Sequence, residues 1–305
     1  MGKKTPPLQG RGWGGAGPSD SERQTSPSPN PFPEGEELSL AAAARRLAPI
    51  SPTPRLDAEL LLAHALGISR EALLLGPGRP VPPAFEALLR RRLAHEPVAY
   101  ITGTRSFWTL DLHVTPDVLI PRPDTETLLE TAIAHFTGRA PRIMLDLGTG
   151  SGALLLAGLD QWRSAWGLGL DQSAAALKVA RGNAERLGFG DRAAFVRGSW
   201  ADALDARVDL VLCNPPYVES GAALPPDVAD HEPSAALYAG PEGLDDYRSL
   251  IPQLPRLLAP QGLAVLEIGA TQAAAVRRLV EAAGLKAVTA KDLAGLDRCL
   301  AVTAP

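Results

Sequence analysis

The chain has 305 residues, 45% of them hydrophobic and 21% charged, which fits a soluble globular protein of one large or two ordinary domains. No apolar run approaches the roughly 18 residues of a membrane span, so no membrane partner is expected. A formal net charge of −4 argues against nucleic acid as the main partner, and two cysteines with scattered histidines build neither a disulfide framework nor a metal site. That cysteine usage suits a reducing compartment, and a cytoplasmic protein is expected.

Residues 1–36 are rich in Gly, Pro and Ser and cannot bury enough apolar surface to offset their ordering entropy, so a disordered tail is predicted. From 37 to 96 the pattern is helical. SLAAAARRLA, SPTPRLDAELLLAHALG, SREALLL and PPAFEALLRRRLAHE read as short helices of a small bundle. Thr53 and Pro54 suit the start of the second helix and Gly67 its stop. Its stripe Leu60, Leu61, Ala63 and His64 is assigned to the core. Residues 97–119 form a linker in which FWTLDLHVT alternates as a strand or hairpin, and in PRPDTETLLE Thr125 or Asp124 is placed to cap a helix beginning near Glu126.

From 120 to 305 strands alternate with helices: RIMLDL, GALLLAGLDQW, AWGLGLD, SAAALKVARGNAERLG, AAFVRG and VDLVLCN. YRSLIPQLPRLL, GLAVLEIG, TQAAAVRRLVEAAG, LKAVTAKDL and RCLAVTA follow. The alternation predicts an α/β, Rossmann-like fold with a mostly parallel seven-stranded sheet, its last two strands an antiparallel hairpin at one edge. Cys213, on a strand before an unusual turn, reads as a small core residue.

The first strand of that sheet runs through Asp146 and Leu147 into Gly148, Thr149, Gly150, Ser151 and Gly152, then into a helix. Such a loop lies beyond the carboxyl ends of the strands, where open α/β sheets bind nucleotides. The second strand ends in Asp171, a carboxylate suited to both hydroxyls of a ribose. An adenosine-containing cofactor follows, but Gly148, Gly150 and Ala153 also match a loose dinucleotide fingerprint, so a dehydrogenase stands as a rival.

The turn Asn214-Pro215-Pro216-Tyr217 separates these readings. It ends the fourth strand, expected beside the first. No proton donor for hydride transfer stands out. The Asn214 amide oxygen and the Pro215 carbonyl instead supply two rigidly held acceptors for a planar NH₂ group, and the Tyr217 ring can lie against its face. A domain that only binds a ligand would not need that rigid acceptor pair.

NPPY resembles the motif of S-adenosylmethionine-dependent enzymes that methylate nitrogens conjugated to a π system. Such nitrogens are poor nucleophiles, and fixing both hydrogens favours a lone pair aimed at the methyl group. HEPVAYITGTRSFWTLDLHVTPDVLIPRPDTETLLE, NPPYV with HEPSAALYAGPEGLDDYR, and LAVLEIG together resemble the PrmC/HemK family. The likeness runs from about residue 38 to the C-terminus. It implies a class I methyltransferase that methylates the glutamine side-chain nitrogen (N5) of the GGQ loop in peptide chain release factors, leaving S-adenosylhomocysteine. The implied cofactor residues are Gly148, Thr149, Gly150, Ser151, Gly152, Asp171, Trp200 and Asn214. Asn214, Pro215, Pro216 and Tyr217 would hold the substrate, with Asn214, Pro215 and Tyr217 carrying catalysis. Many members carry an acid before that Trp, where this chain has Ser199. A monomer is expected, with no metal. A nucleic-acid amino-group methyltransferase using the same turn is the alternative.

Other residues stay open. Arg122, Asp124 and Glu126 either shape the cofactor entrance or brace a helix, and Glu267 in LEIG either faces the site or is solvated. Arg45, Arg46, Arg90, Arg91 and Arg92 read as solvated helix faces.

Overall fold

Serine and proline at helix starts organise the N-terminal part of the computed structural model, which describes residues 39–202 and 204–305. The predicted tail, 1–36, lies outside the described residues. Ser39 caps α1 (Leu40–Leu47), Pro54 opens α2 (Pro54–Leu66), and Gly67 at φ 64° closes it. Ser69 caps α3 (Arg70–Leu75), and α4 (Ala84–Leu93) and α5 (Val98–Thr102) complete the set. Leu47, Leu61, Phe85, Leu89 and Ile101 close one small core, so α5 belongs to the bundle although it follows residue 96.

In α2, Leu61 and Ala63 are buried as expected, but His64 is exposed and Leu60 only half-buried. Leu56, Leu60 and His64 form the i, i+4 row that the other helices leave uncovered. Arg92 also differs from its reading as a solvated residue. It is buried, and its Nε donates to Asp57 at 2.8 Å.

The alternating segment closes a hairpin of β1 (Thr104–Phe107) and β2 (Leu110–His113). Residues Pro123–Thr125 then form a 3₁₀ turn leading into α6 (Glu126–His135). Neither Thr125 nor Asp124 caps this helix. Thr125 already has helical angles (φ −65°, ψ −19°), and Asp124 pairs with Arg298 at 3.2 Å.

The main sheet follows as β3 (Ile143–Leu147), α7 (Ala153–Gln161), β4 (Trp166–Asp171), α8 (Ala174–Arg186), β5 (Ala193–Arg197) and β6 (Val208–Cys213). Then come α9 (Pro226–Ala229), α10 (Asp245–Leu250), α11 (Leu254–Leu257), β7 (Leu258–Glu267), α12 (Ala273–Ala282), β8 (Lys286–Lys291) and β9 (Asp297–Thr303). The predicted helix YRSLIPQLPRLL is broken by a 3₁₀ turn at Ile251–Gln253, because Pro252 and Pro255 each lack a backbone donor.

Strand order is β5-β4-β3-β6-β7-β9-β8. The first five strands run parallel, and β9 pairs antiparallel with both β7 and β8, which gives the predicted edge hairpin. Alternation along β6 shows how the faces are filled. Leu210 and Leu212 join Leu128, Leu155 and Leu177 on one side, and Val211 and Cys213 join Tyr247, Leu254 and Val276 on the other. The order reverses between β3 and β6, which opens a crevice at their carboxyl ends.

Candidate active site

Three left-handed glycines shape the loop after β3: Gly148, Gly150 and Gly152 have φ of 73°, 54° and 83°. A side chain at such angles is strained. The Gly148 and Thr149 N–H groups donate to the Leu170 carbonyl at 2.9 and 2.8 Å, which ties the loop to the end of β4. Gly152 is packed so closely that a Cβ there would stand 3.2 Å from Leu156 Cδ1.

At the end of β4, Asp171 Oδ2 accepts from Gly150 N at 3.0 Å and Oδ1 from Ser173 N at 2.8 Å. Each oxygen keeps a further lone pair for a ligand hydroxyl. Trp200 follows β5 in a left-handed conformation, φ 46°, with its indole close against Gly148. A bulky residue in that region marks a local backbone held by its surroundings.

The crevice is a cleft of about 300 Å³. Gly148, Thr149, Gly150, Ser151, Asp171, Trp200, Asn214 and Pro216 line it, together from four strand ends. Gly152, Pro215 and Tyr217 do not. Gly152 sits at the start of α7, Pro215 is buried, and Tyr217 packs on the core beneath α10 and α12.

Asn214 turns its Nδ2 to the Thr125 hydroxyl, 3.3 Å away. In a planar amide the acceptor oxygen lies on the opposite branch. The Tyr217 hydroxyl donates to Glu267 Oε1 at 3.3 Å, and burial pushes the phenol up to about 12. Glu267 itself is only 1% exposed, so it is not a solvated strand end, and burial raises its carboxyl to about 7. Glu126 Oε1 accepts from Trp108 N at 2.8 Å, and Arg122 pairs with Glu232. With Asp124 on Arg298, all three acidic and basic residues of PRPDTE act as braces.

Several cleft residues carried no site reading in the sequence. Asp146, 1% exposed, accepts from the Thr149 hydroxyl at 2.7 Å and from Leu155 N at 3.3 Å, and burial raises it to about 7. Its place at the head of DLGTGSG was the available signal. Pro233, Ala235 and Ala236 line the opposite wall, in the HEPSAAL stretch that Glu232 anchors through Arg122 and the Ile120 N–H.

The chain is also similar to known proteins. A family model described as the PrmC N-terminal domain matches residues 39–103, and one described as a methyltransferase domain matches residues 142–297. The release factor glutamine methyltransferase of Rhodospirillum rubrum is 49% identical over 254 residues, 81% of this chain and 78% of that protein. That of Cereibacter sphaeroides is 44% identical over 276 residues, 88% and 98% of the two chains. Among solved structures, the catalytic domain of hMettl16 bound to a hairpin of the MAT2A 3'UTR is similar at a TM-score of 0.50 and 16% identity, over 65% of this chain and 79% of that one. The latter is a likeness of fold.

Proposed function

The chain belongs to the release factor glutamine methyltransferase family, and on that premise we propose that it transfers a methyl group from S-adenosylmethionine to the side-chain nitrogen of the glutamine in the GGQ loop of peptide chain release factors. The observation that carries this reading is the convergence of the glycine loop, Trp200 and the NPPY turn on one cleft. A Cβ added at Gly148 would stand 3.7 Å from the Trp200 ring and 4.0 Å from the Asn214 carbonyl oxygen.

The residues fit the cofactor. The left-handed glycine loop lets a ligand approach the main chain, Asp171 offers two carboxylate oxygens for a ribose, and Trp200 offers a flat apolar wall for an adenine. When bound, S-adenosylmethionine supplies an electrophilic methyl group. The chain's own residues position the acceptor. Asn214 Oδ1, which faces the cleft, accepts one hydrogen of the glutamine NH₂. The other is assigned to the Pro215 main-chain carbonyl, although the Pro215 ring is buried outside the cofactor cleft, and Tyr217 braces the turn from the core. Holding both hydrogens orients the nitrogen lone pair, and orientation of that kind is worth on the order of 7 kcal/mol when fully realised. No basic side chain has to remove a proton before transfer, since the proton leaves afterwards to solvent.

In this reading the helical bundle, α1 to α5, forms a recognition domain for the folded release factor, the β1–β2 hairpin links it to a catalytic domain at 120–305, and the enzyme is a cytoplasmic monomer. No helix among the described residues is long and apolar enough to cross a membrane. The test is incubation with S-adenosylmethionine and a purified release factor, followed by mass spectrometry of its peptides. The GGQ peptide is expected to gain one methyl group. Methylation of DNA or RNA offered in parallel, with none on the factor, would replace this reading by the nucleic-acid one.

A further inference from the structure

We propose that Glu232 is a positioning residue for the cofactor, stapling together the two loop segments that form the outer wall of the cleft. The proposal rests on the reading of that cleft as the S-adenosylmethionine site.

The inner wall of the cleft stands on strand ends, but the outer wall does not. Val118, Leu119 and Pro121 line it from irregular chain after β2. Pro233, Ala235 and Ala236 line it from a 3₁₀ turn beyond the NPPY motif. Neither segment lies in a strand, so no ladder sets the distance between them.

Glu232 sets it. This residue is 6% exposed and immediately precedes Pro233. Its Oε2 accepts from the Ile120 N–H at 3.3 Å, across 112 residues of sequence, and its Oε1 accepts from Arg122. Both carboxylate oxygens are thus engaged on one segment while the main chain belongs to the other. A carboxylate so buried is costly without its cation, which makes Arg122 part of the staple. The loop that carries Glu232 is closed at its base. There the Val218 N–H donates to the Leu237 carbonyl and the Ala239 N–H to the Val218 carbonyl, each at 2.9 Å. A closed base and a buried staple fix the width of the cleft before any ligand enters, so binding has less ordering to impose.

The helical bundle holds the same wall from outside. Tyr100 on α5 donates its hydroxyl to the Val118 carbonyl at 2.6 Å, and both residues are buried. Tyr100, Val118 and Ile120 share one apolar cluster with Ala176 and Val179 of α8, so the first segment lies between the bundle and the catalytic domain. Arg92 on α4, held by Asp57, lies 3.8 Å from Asp227 on α9. The Glu232 N–H donates to the Val228 carbonyl of that same helix at 3.0 Å. The bundle therefore touches both halves of the wall that the staple closes.

The test is titration calorimetry with S-adenosylhomocysteine, and steady-state methylation of a release factor, on wild type, Glu232→Ala, Arg122→Met and the double variant. Glu232→Ala and Arg122→Met are each expected to weaken S-adenosylhomocysteine about 10- to 100-fold, the scale of hydrogen bonds to charged groups. KM for the methyl donor should rise in step, while kcat at saturating donor changes far less. The double variant should match Glu232→Ala, because the arginine acts through that carboxylate. Wild-type affinity in the single variants, additive losses in the double one, or a fall in kcat as large as the fall in affinity overturns the proposal. If Glu232→Ala does not fold, Arg122→Met and Arg122→Lys decide. Lysine keeps a charge for the carboxylate and should recover part of the loss, and equal affinities overturn the proposal. A wild type that binds no S-adenosylhomocysteine overturns the parent reading and this one together, whereas a wild type that binds it beside unaffected variants sinks this one alone.

Discussion

The main-chain N–H of Gly150 donates to Asp171 Oδ2 across 3.0 Å, so the carboxylate that ends β4 also holds the loop that follows β3. Asp171→Ala removes this brace and, on the proposed reading, the ribose acceptor as well. Hydrogen bonds to charged groups contribute about 1.5–3 kcal/mol, so S-adenosylhomocysteine affinity is expected to fall about 10- to 100-fold. Titration calorimetry measures it, and unchanged affinity would remove Asp171 from the cofactor site.

Asn214→Ala deletes one of two acceptors for the substrate NH₂ and leaves the Thr125 hydroxyl without its donor. The expected loss is about 100- to 1,000-fold in kcat, comparable to removing one preorganised polar group from a reacting centre. Cofactor affinity should change far less. Steady-state kinetics on a release factor separates the two, and near-normal turnover in a folded variant would contradict the pocket assignment.

Gly152 combines φ 83° with a neighbour, Leu156 Cδ1, 3.2 Å from where a Cβ would stand. Gly152→Ala is expected to cost at least about 1–2 kcal/mol of stability from the left-handed backbone alone. Urea unfolding of the two proteins gives the difference directly, and equal midpoints would mean that the loop relaxes freely.

The strand–helix alternation was enough to place seven strands and the edge hairpin, because buried parallel strands read as continuous apolar runs between helical periods. The cleft was legible where a motif sits at a strand end, as with Gly148 to Ser151, Asp171 and Asn214. It was not legible where the partner is remote. Thr125 meets Asn214 across 89 residues and Arg122 meets Glu232 across 110, and no local periodicity carries such pairs. Glu267 shows the same limit. Its burial depends on Tyr217, Tyr247 and Arg298 closing around the end of β7, which a strand-end carboxylate does not announce.

Asp146 gives the fold a pH signature. Burial raises its folded-state value to about 7 from an ordinary 3.8, so the folded protein holds this proton more tightly than the unfolded chain. Its contribution to stability is therefore greatest below the unfolded value and is lost as pH rises toward about 7. Asp146→Asn keeps an oxygen for Thr149 and Leu155 and removes the titration. Relative to wild type, the variant should gain stability between about pH 5 and about pH 8. Denaturant unfolding at the two values checks the sign, and a variant that loses ground with rising pH would refute the burial argument.

The most direct measurement is transfer of labelled methyl from S-adenosylmethionine to a purified release factor and to its GGQ→GGA variant. Label on the wild-type factor and none on the variant is the expected result, and it would identify cofactor, substrate and residue together. Equal label on both factors, or none on either from protein that binds the cofactor, would contradict the assignment of the NPPY cleft to the GGQ glutamine.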